Sequence, residues 1–515
     1  MKSLNKPWNS LWVIGFFAVF MLLFTACETE APTTTTETVD TTETSAEKLS
    51  PVTRVERQYF HAWLSYVTSG ELVTASSSEE ARDKLIKLGK GRIEKALGDN
   101  IILDRYYPKS DYPDGVKLAW GPVVTPQFID SISTGLTENL LYVIETKKTD
   151  TTMLYIGTSG TNMISGYDWF VEDFDVTVKD QKDWKARGGQ TKGKISGGTH
   201  IGLEALLNMV DTSMTDNPSL ITYLNQVFSR NETTNYKITV AGHSLGGALA
   251  PVLALKLREN FTVETLTVEA WPFAGPTPGN SDFASYLTTT LDQYHAYNNS
   301  LDVVPHAWEL DSLNRLCDIY DHLYACDDVI PITTEESTIL GVLSYFRTVS
   351  SGGDYKIPGK PITFTADYSA FKGLEGCGEF IGAIGVIVAS QEPSDLLKGL
   401  IDLNNTCKLL PEPNLNNKTE RDIFETLVLT TFLNYMVELG GQHTTAYFNH
   451  FVTDANVQKQ LDKYVTNAKT DLDSFVDDFL KGALGLPILE NVISKANSEL
   501  VKKGISDCDC PSEDS

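Results

Sequence analysis

The sequence predicts an α/β protein built on a mostly parallel central sheet with helices on both faces, and three observations carry that expectation. Short β-branched runs alternate with helical segments through the middle of the 515-residue chain, as parallel strands joined by helical crossovers require. The run YKITVAG passes through HSLGG directly into ALAPVLALKL, a strand joined to a helix by one tight turn. With 41% hydrophobic and 21% charged residues, the chain has ordinary globular composition and enough length for a large domain with insertions.

The elements follow in chain order. Lys2 and Lys6 precede the apolar run LWVIGFFAVFMLLFTA, which ends in small residues just before Cys27. A positive start, a short apolar core and small residues at the exit describe an export signal over residues 1–26. FTAC resembles the lipobox of bacterial lipoproteins. The resemblance implies a lipidated Cys27 and a membrane anchor at the cell envelope, at the outer membrane or cell surface in a Gram-negative organism. Residues 27–50 are Thr-rich and almost free of large apolar groups, so nothing offsets chain entropy and a disordered tether is expected.

A single domain is then expected over residues 51–475, with an insertion at about 310–420, and a C-terminal helical segment and Cys-containing tail over 476–515. RVERQYFHAWLSYV and SSSEEARDKLIKL predict an N-terminal helical layer. LLYVIE and TTMLYIG, joined by TKKTD, predict a hairpin. SLITYLNQVFSR places Leu220, Leu224, Val227 and Phe228 on one helical face with Ile221 beside them. LTVEAWPFAG and QYHAYNN supply two further strand candidates. Pro251 sits inside the helix after HSLGG and predicts a kink or local adjustment there.

Charge and cysteine content narrow the function. A net charge of −26, from 68 acidic against 42 basic residues, repels polyanions and argues against a nucleic-acid partner. Six cysteines follow Cys27: Cys317, Cys326, Cys377, Cys407, Cys508 and Cys510. In an exported chain they are expected to staple the late insertion, and their spacing matches no zinc module.

The stretch GHSLG holds the candidate nucleophile, Ser244. A nucleophile raised above a sheet edge needs a sharp turn, and Gly242 and Gly246 let strand and helix approach without a side-chain clash. The following helix aims its N-terminus at the place where negative charge would develop, so the Leu245 N–H becomes one oxyanion donor. A serine hydroxyl also needs an imidazole to take its proton and a carboxylate to orient that imidazole. Asp302 follows the strand candidate HAYNN, on a loop beyond a strand end. The histidines downstream of it are His306, His322, His443 and His450.

At these residues the chain resembles the class 3 lipases of the α/β-hydrolase fold. GHSLGGALA is close to that family's nucleophile motif, FAGPTPGN is similar to its FGxPRxGN segment, and NNSLDVVPH resembles its D-x-V-P motif. GTHIGLEAL and IGTSGTNMISGYDWFVEDFD are similar to its H-x-G-F and R-G-T…D-W…D stretches, without the arginine. The resemblance assigns Asp302 as triad acid and His443 as general base, since a tyrosine (Tyr447) follows closely, with His450 as the runner-up. It reads His243 and His200 as packing residues. For the second oxyanion donor, spacing to Asp168-Trp169 favours Thr161 and the preceding strand favours Thr158; Thr161 is the expected donor, with Thr158 as the runner-up.

Together these residues imply acyl transfer to water through an acyl-enzyme, with no cofactor and no metal. The family implies a carboxylic ester or lipid substrate, acylglycerols first, with phospholipids or polysaccharide-bound esters open to the same machinery. It also implies that Met163, Ile164, Trp169, Phe170, Val171 and Phe174 can form an apolar lid, unless they belong to the core. A catalytically silent surface protein on the same scaffold is the contrasting reading.

Overall fold

Period-two burial sorts the strands onto two faces of one sheet, and each face carries its own core. In the computed structural model the described residues are 52–69, 71–129, 133–160, 175–230, 235–313, 319, 350–366 and 442–465. The residues expected to form an export signal, a lipidated Cys27 and a tether, the six later cysteines, most of the expected insertion, the residues expected as a lid, Thr161, His322 and the tail fall outside them.

Among the described residues one sheet has nine strands: β1 (Val73–Thr74), β2 (Val116–Ile129), β3 (Thr134–Lys148), β4 (Thr151–Thr158), β7 (Asn235–His243), β8 (Leu266–Phe273), β9 (Gln293–Tyr294), β10 (Tyr297–Asn299) and β11 (Ile362–Phe364). A separate ribbon pairs β5 (Lys182–Lys185) with β6 (Thr191–Ile195). The main path of the large sheet runs β1-β3-β4-β7-β8-β10-β11, with β2 on β3 and β9 on β8. β1, β2, β3 and β4 pair antiparallel, and from β4 onward every neighbour is parallel. The predicted hairpin is β3–β4, with its strands reaching into TKKTD until only Thr149 and Asp150 remain for the turn.

Alternate side chains along these strands enter different cores, as the pleat dictates. Leu141, Val143, Ile156, Val240 and Val268 face α4 (Gly197–Asn208), α5 (Leu220–Phe228) and α6 (Leu245–Asn260). Tyr142, Ile144, Tyr155, Trp271 and Phe273 face α1 (Arg54–Leu64), α2 (Ser78–Gly98) and α3 (Asn100–Tyr106). The C-terminal helices α8 (Thr445–Phe451) and α9 (Ala455–Val465) complete that second face. The intervening α7 (Ser281–Thr290) packs with the first core through Phe283 and Leu287. As the spacing of SLITYLNQVFSR predicts, α5 buries Leu220, Leu224, Val227 and Phe228, and adds Tyr223. Helix α6 stays continuous through Pro251.

Helix α1 matters for the site because its chain runs on into the elbow region. A capping box starts it: the Glu56 N–H donates to Thr53 Oγ1 at 3.2 Å, and the Thr53 N–H donates back to Glu56. Such a cap stabilises a helix start by about 1 kcal/mol. Arg54 then reaches the fully buried Glu269 of β8, which Lys237 of β7 also meets at 2.5 Å. Burial alone would push that carboxyl up, but the two cations win and hold it below the usual carboxylate range.

Candidate active site

Ser244 is the only residue between the end of β7 and the start of α6, so the whole reversal of direction falls on it. It takes φ 61° and ψ −129°, a conformation that costs a non-glycine residue about 1–3 kcal/mol. Hydrogen bonds on both sides hold it there. Its N–H donates to the Phe273 carbonyl at 3.0 Å, and its carbonyl accepts from the N–H groups of Gly247 at 2.7 Å and Ala248 at 3.2 Å. The close approach needs glycine: a Cβ on Gly246 would lie 2.5 Å from the Thr158 carbonyl oxygen and 2.7 Å from that of Ser159. Leu245 opens the helix, so its N–H has no acceptor within it.

The structure brings Asp302 and His443 together across 141 residues, with Asp302 Oδ2 2.8 Å from His443 Nδ1. Asp302 lies just past the end of β10, and its side chain is wholly buried. Its Oδ1 accepts the Val304 N–H at 3.0 Å, and its charge acts on the buried Tyr447 hydroxyl. A carboxylate at Nδ1 fixes the imidazole hydrogen on that nitrogen and leaves Nε2 as the acceptor. Nε2 of His443 is buried and has no hydrogen-bond partner among the described residues.

Three further contacts hold the segment that carries His443. Asn299, at the end of β10, donates its amide to Gln442 Oε1 at 2.7 Å and to the Gln442 carbonyl at 3.2 Å. His243 Nε2 lies 2.6 Å from the His443 carbonyl oxygen. Tyr66, just beyond α1, places its hydroxyl 3.0 Å from His243 Nδ1 and 3.1 Å from the His243 carbonyl oxygen. Burial drives the His243 pKa well below its ordinary value, and the adjacent His443 pushes in the same direction.

The remaining candidates stand apart from this constellation. His450 is exposed and stacks on Phe364 at 3.9 Å. His306 pairs with Ser312 Oγ at 2.6 Å. Thr158 closes β4 opposite Gly242; it is fully buried, and its Oγ1 has no partner among the described residues. Gly160, two residues on, comes closer to the nucleophile: a Cβ there would lie 2.9 Å from Ser244 Cβ and would also strike Tyr66 and the His243 carbonyl. Among the described residues, no group of three or more His, Cys, Asp or Glu side chains could hold a metal ion. No helix among them is long and apolar enough to cross a membrane. Tyr66, Asn299 and Gln442 were not among the candidates; Asn299 lies in NNSLDVVPH and Gln442 directly precedes His443, whereas Tyr66 lies near no motif that could have signalled it.

A mostly parallel sheet flanked by helices, with a strained serine at a strand-to-helix turn and an Asp–His pair beyond it, defines an α/β-hydrolase fold. Residues 155–311 match the family model of lipase (class 3). Over 84 residues the chain is 31% identical to Lipase ZK262.3 of Caenorhabditis elegans, a stretch covering 16% of this chain and 24% of that one. It is 36% identical over 84 residues to Phospholipase A1-II 1 of Oryza sativa subsp. indica, covering 16% and 21%. The chain thus matches about a quarter or less of the length of these curated relatives. Among solved structures it is similar to M37 lipase, at 26% identity and a TM-score of 0.47, covering 64% of this chain and 92% of that one.

Proposed function

We propose that the chain is a serine carboxylic ester hydrolase acting on lipid esters, acylglycerols first, through an acyl-enzyme on Ser244. One observation carries the reading above the others. A buried Asp302 lies 2.8 Å from His443 Nδ1, while the open Nε2 belongs to a residue tied by its carbonyl to the neighbour of Ser244.

In this reading Ser244 Oγ attacks the ester carbonyl carbon as His443 Nε2 takes its proton. Asp302 holds the tautomer and stabilises the imidazolium that forms. The tetrahedral oxyanion is held by the Leu245 N–H and by a donor from the loop after β4, each such donor being worth roughly 10²–10³ in rate. The approach of Gly160 to Ser244 supports Thr161, the next residue, as that second donor, with Thr158 as the alternative. Collapse expels the alcohol, which takes the proton from His443. Water then repeats the sequence on the acyl-enzyme, releasing the carboxylic acid and restoring Ser244.

The similarity to a protein named phospholipase A1 favours a phospholipid ester as the second substrate reading. The FTAC motif supports anchoring through a lipidated Cys27 after export, which would hold the enzyme beside a membrane. The test is hydrolysis of p-nitrophenyl esters from acetate to palmitate by the full chain in detergent, beside its Ser244→Ala variant. Activity lost in the variant supports the reading, and the chain-length profile separates lipase from short-chain esterase. An inert wild type, with emulsified triacylglycerol and phospholipid also tried, makes the chain a binding protein on a hydrolase scaffold.

A further inference from the structure

We propose that His243 is a positioning residue for His443: its Nε2–H holds the main-chain carbonyl of the base against the elbow, and so sets the reach of the base to Ser244. The inference rests on the serine-hydrolase reading and concerns the positioning of that same site.

The geometry decides which nitrogen does the holding. A main-chain carbonyl only accepts, so the 2.6 Å contact to the His443 oxygen puts the hydrogen of His243 on Nε2. Burial keeps the ring neutral, so Nδ1 is left as an acceptor facing the Tyr66 hydroxyl at 3.0 Å. The ring has no freedom to turn away. It lies 4.7 Å from the His443 ring at 40°, against the edge of Tyr447 at 5.3 Å, and beside Tyr59 at 6.4 Å.

The chain connectivity makes this contact matter. His443 is 200 residues from His243 and lies two residues before the start of α8, so its place relative to the nucleophile is set by tertiary contacts. Asn299 fixes the preceding Gln442 to the end of β10. That contact locates the base relative to Asp302. His243, the chain neighbour of Ser244, is the residue that locates the base relative to the nucleophile. An error of about 1 Å in such a distance costs on the order of 10²-fold in rate without changing what the substrate touches.

The test compares the full chain with His243→Phe, His243→Gln, His243→Asn and Ser244→Ala, using p-nitrophenyl butyrate turnover and the rate of labelling by a fluorophosphonate. Phe keeps a ring but removes the donor, and Asn carries an amide that stops at the Nδ1 position. Both are expected to lower kcat and the labelling rate roughly thirty- to hundredfold, with KM within about twofold. Gln places an amide N–H near the Nε2 position and is expected to recover activity to within about fivefold of wild type. Thermal melts identify any variant that fails to fold, and the Gln against Asn comparison stands if Phe is lost. Wild-type kcat in Phe and Asn overturns the proposal, as does a Gln variant no better than Asn. A Ser244→Ala variant as active as wild type overturns the serine-hydrolase reading and this proposal with it.

Discussion

The main-chain N–H of Asn299 donates to the Tyr447 hydroxyl at 2.7 Å, pinning the end of β10 to helix α8 at one buried point. That N–H uses the hydroxyl as acceptor, so the phenolic hydrogen is left over, and the buried Asp302 carboxylate is the charge that acts on it. Burial first, and the Asp302 charge second, drive the Tyr447 pKa well above its ordinary value, so it remains a donor at any working pH. Tyr447→Phe keeps the ring against His243 but strands the Asn299 N–H. It is expected to cost about 1–3 kcal/mol of stability, the penalty of an unsatisfied buried donor. Activity should fall roughly tenfold as the end of β10, from which Asp302 follows, loses its tie to α8. Urea melts and ester turnover measured together check this: lost stability with full activity would leave Tyr447 a purely structural residue.

Two histidines competed for the role of base, and substitution separates them. Asp302→Asn should lower kcat about 10⁴-fold through the wrong tautomer, and His443→Ala by 10⁴-fold or more, on the order seen when a triad member is removed. His450→Ala should change kcat by less than about twofold, because its exposed ring stacks on Phe364 and does not contact Asp302. Single-turnover acylation with a nitrophenyl ester gives all three values. A silent His450→Ala with an active His443→Ala would reverse the assignment.

The alternation of strands and helices was legible because burial on both faces leaves near-continuous apolar runs such as LLYVI and MLYI, bounded by turn residues. Strand β2 was not. VKLAWGPVVTPQFI contains Pro122 and Pro126, which argue against a strand; β2 tolerates them because it pairs with β3 alone and shifts register beside both. The same division holds at the site. HSLGG and DVVP are local patterns whose spacing reflects a local turn. Tyr66 meets His243 across 177 residues and Asn299 meets Gln442 across 143, and no local pattern records such contacts.

Gly160 gives a prediction on the oxyanion side. A Cβ there would lie 2.9 Å from Ser244 Cβ and overlap the Tyr66 hydroxyl and the His243 carbonyl. The elbow backbone is held by the Phe273 and Gly247 hydrogen bonds, so the loop after β4 has to retreat instead. Gly160→Ala is therefore expected to withdraw the second oxyanion donor and lower kcat roughly 10²–10³-fold, the usual effect of losing one donor. KM for p-nitrophenyl butyrate should hold within about threefold, since the donor acts on the transition state. Steady-state kinetics on the two proteins check it; an unchanged kcat would show that this loop does not serve the oxyanion.

Acid should destabilise this fold earlier than carboxylate protonation alone would. His61 and His243 are both fully buried, and burial lowers the pKa of each well below 6.5. In the unfolded chain each binds a proton as pH falls through about 6.5, whereas in the folded chain it stays neutral. The unfolded state then holds more protons, so the stability these groups contribute is complete above pH 6.5 and declines below it. Glu269, held below its usual value by Lys237 and Arg54 despite burial, adds a second loss only as pH falls below about 4.5. His61→Gln isolates the first effect, because the amide can still meet the Tyr107 hydroxyl that lies 2.6 Å from His61 Nε2. Urea unfolding between pH 7.5 and 5 is expected to show wild-type stability falling with pH. In the variant the slope should be shallower by up to about 1.4 kcal/mol per pH unit, the linkage value for one proton. Parallel slopes in the two proteins would mean that folded His61 takes up its proton as readily as the unfolded chain does.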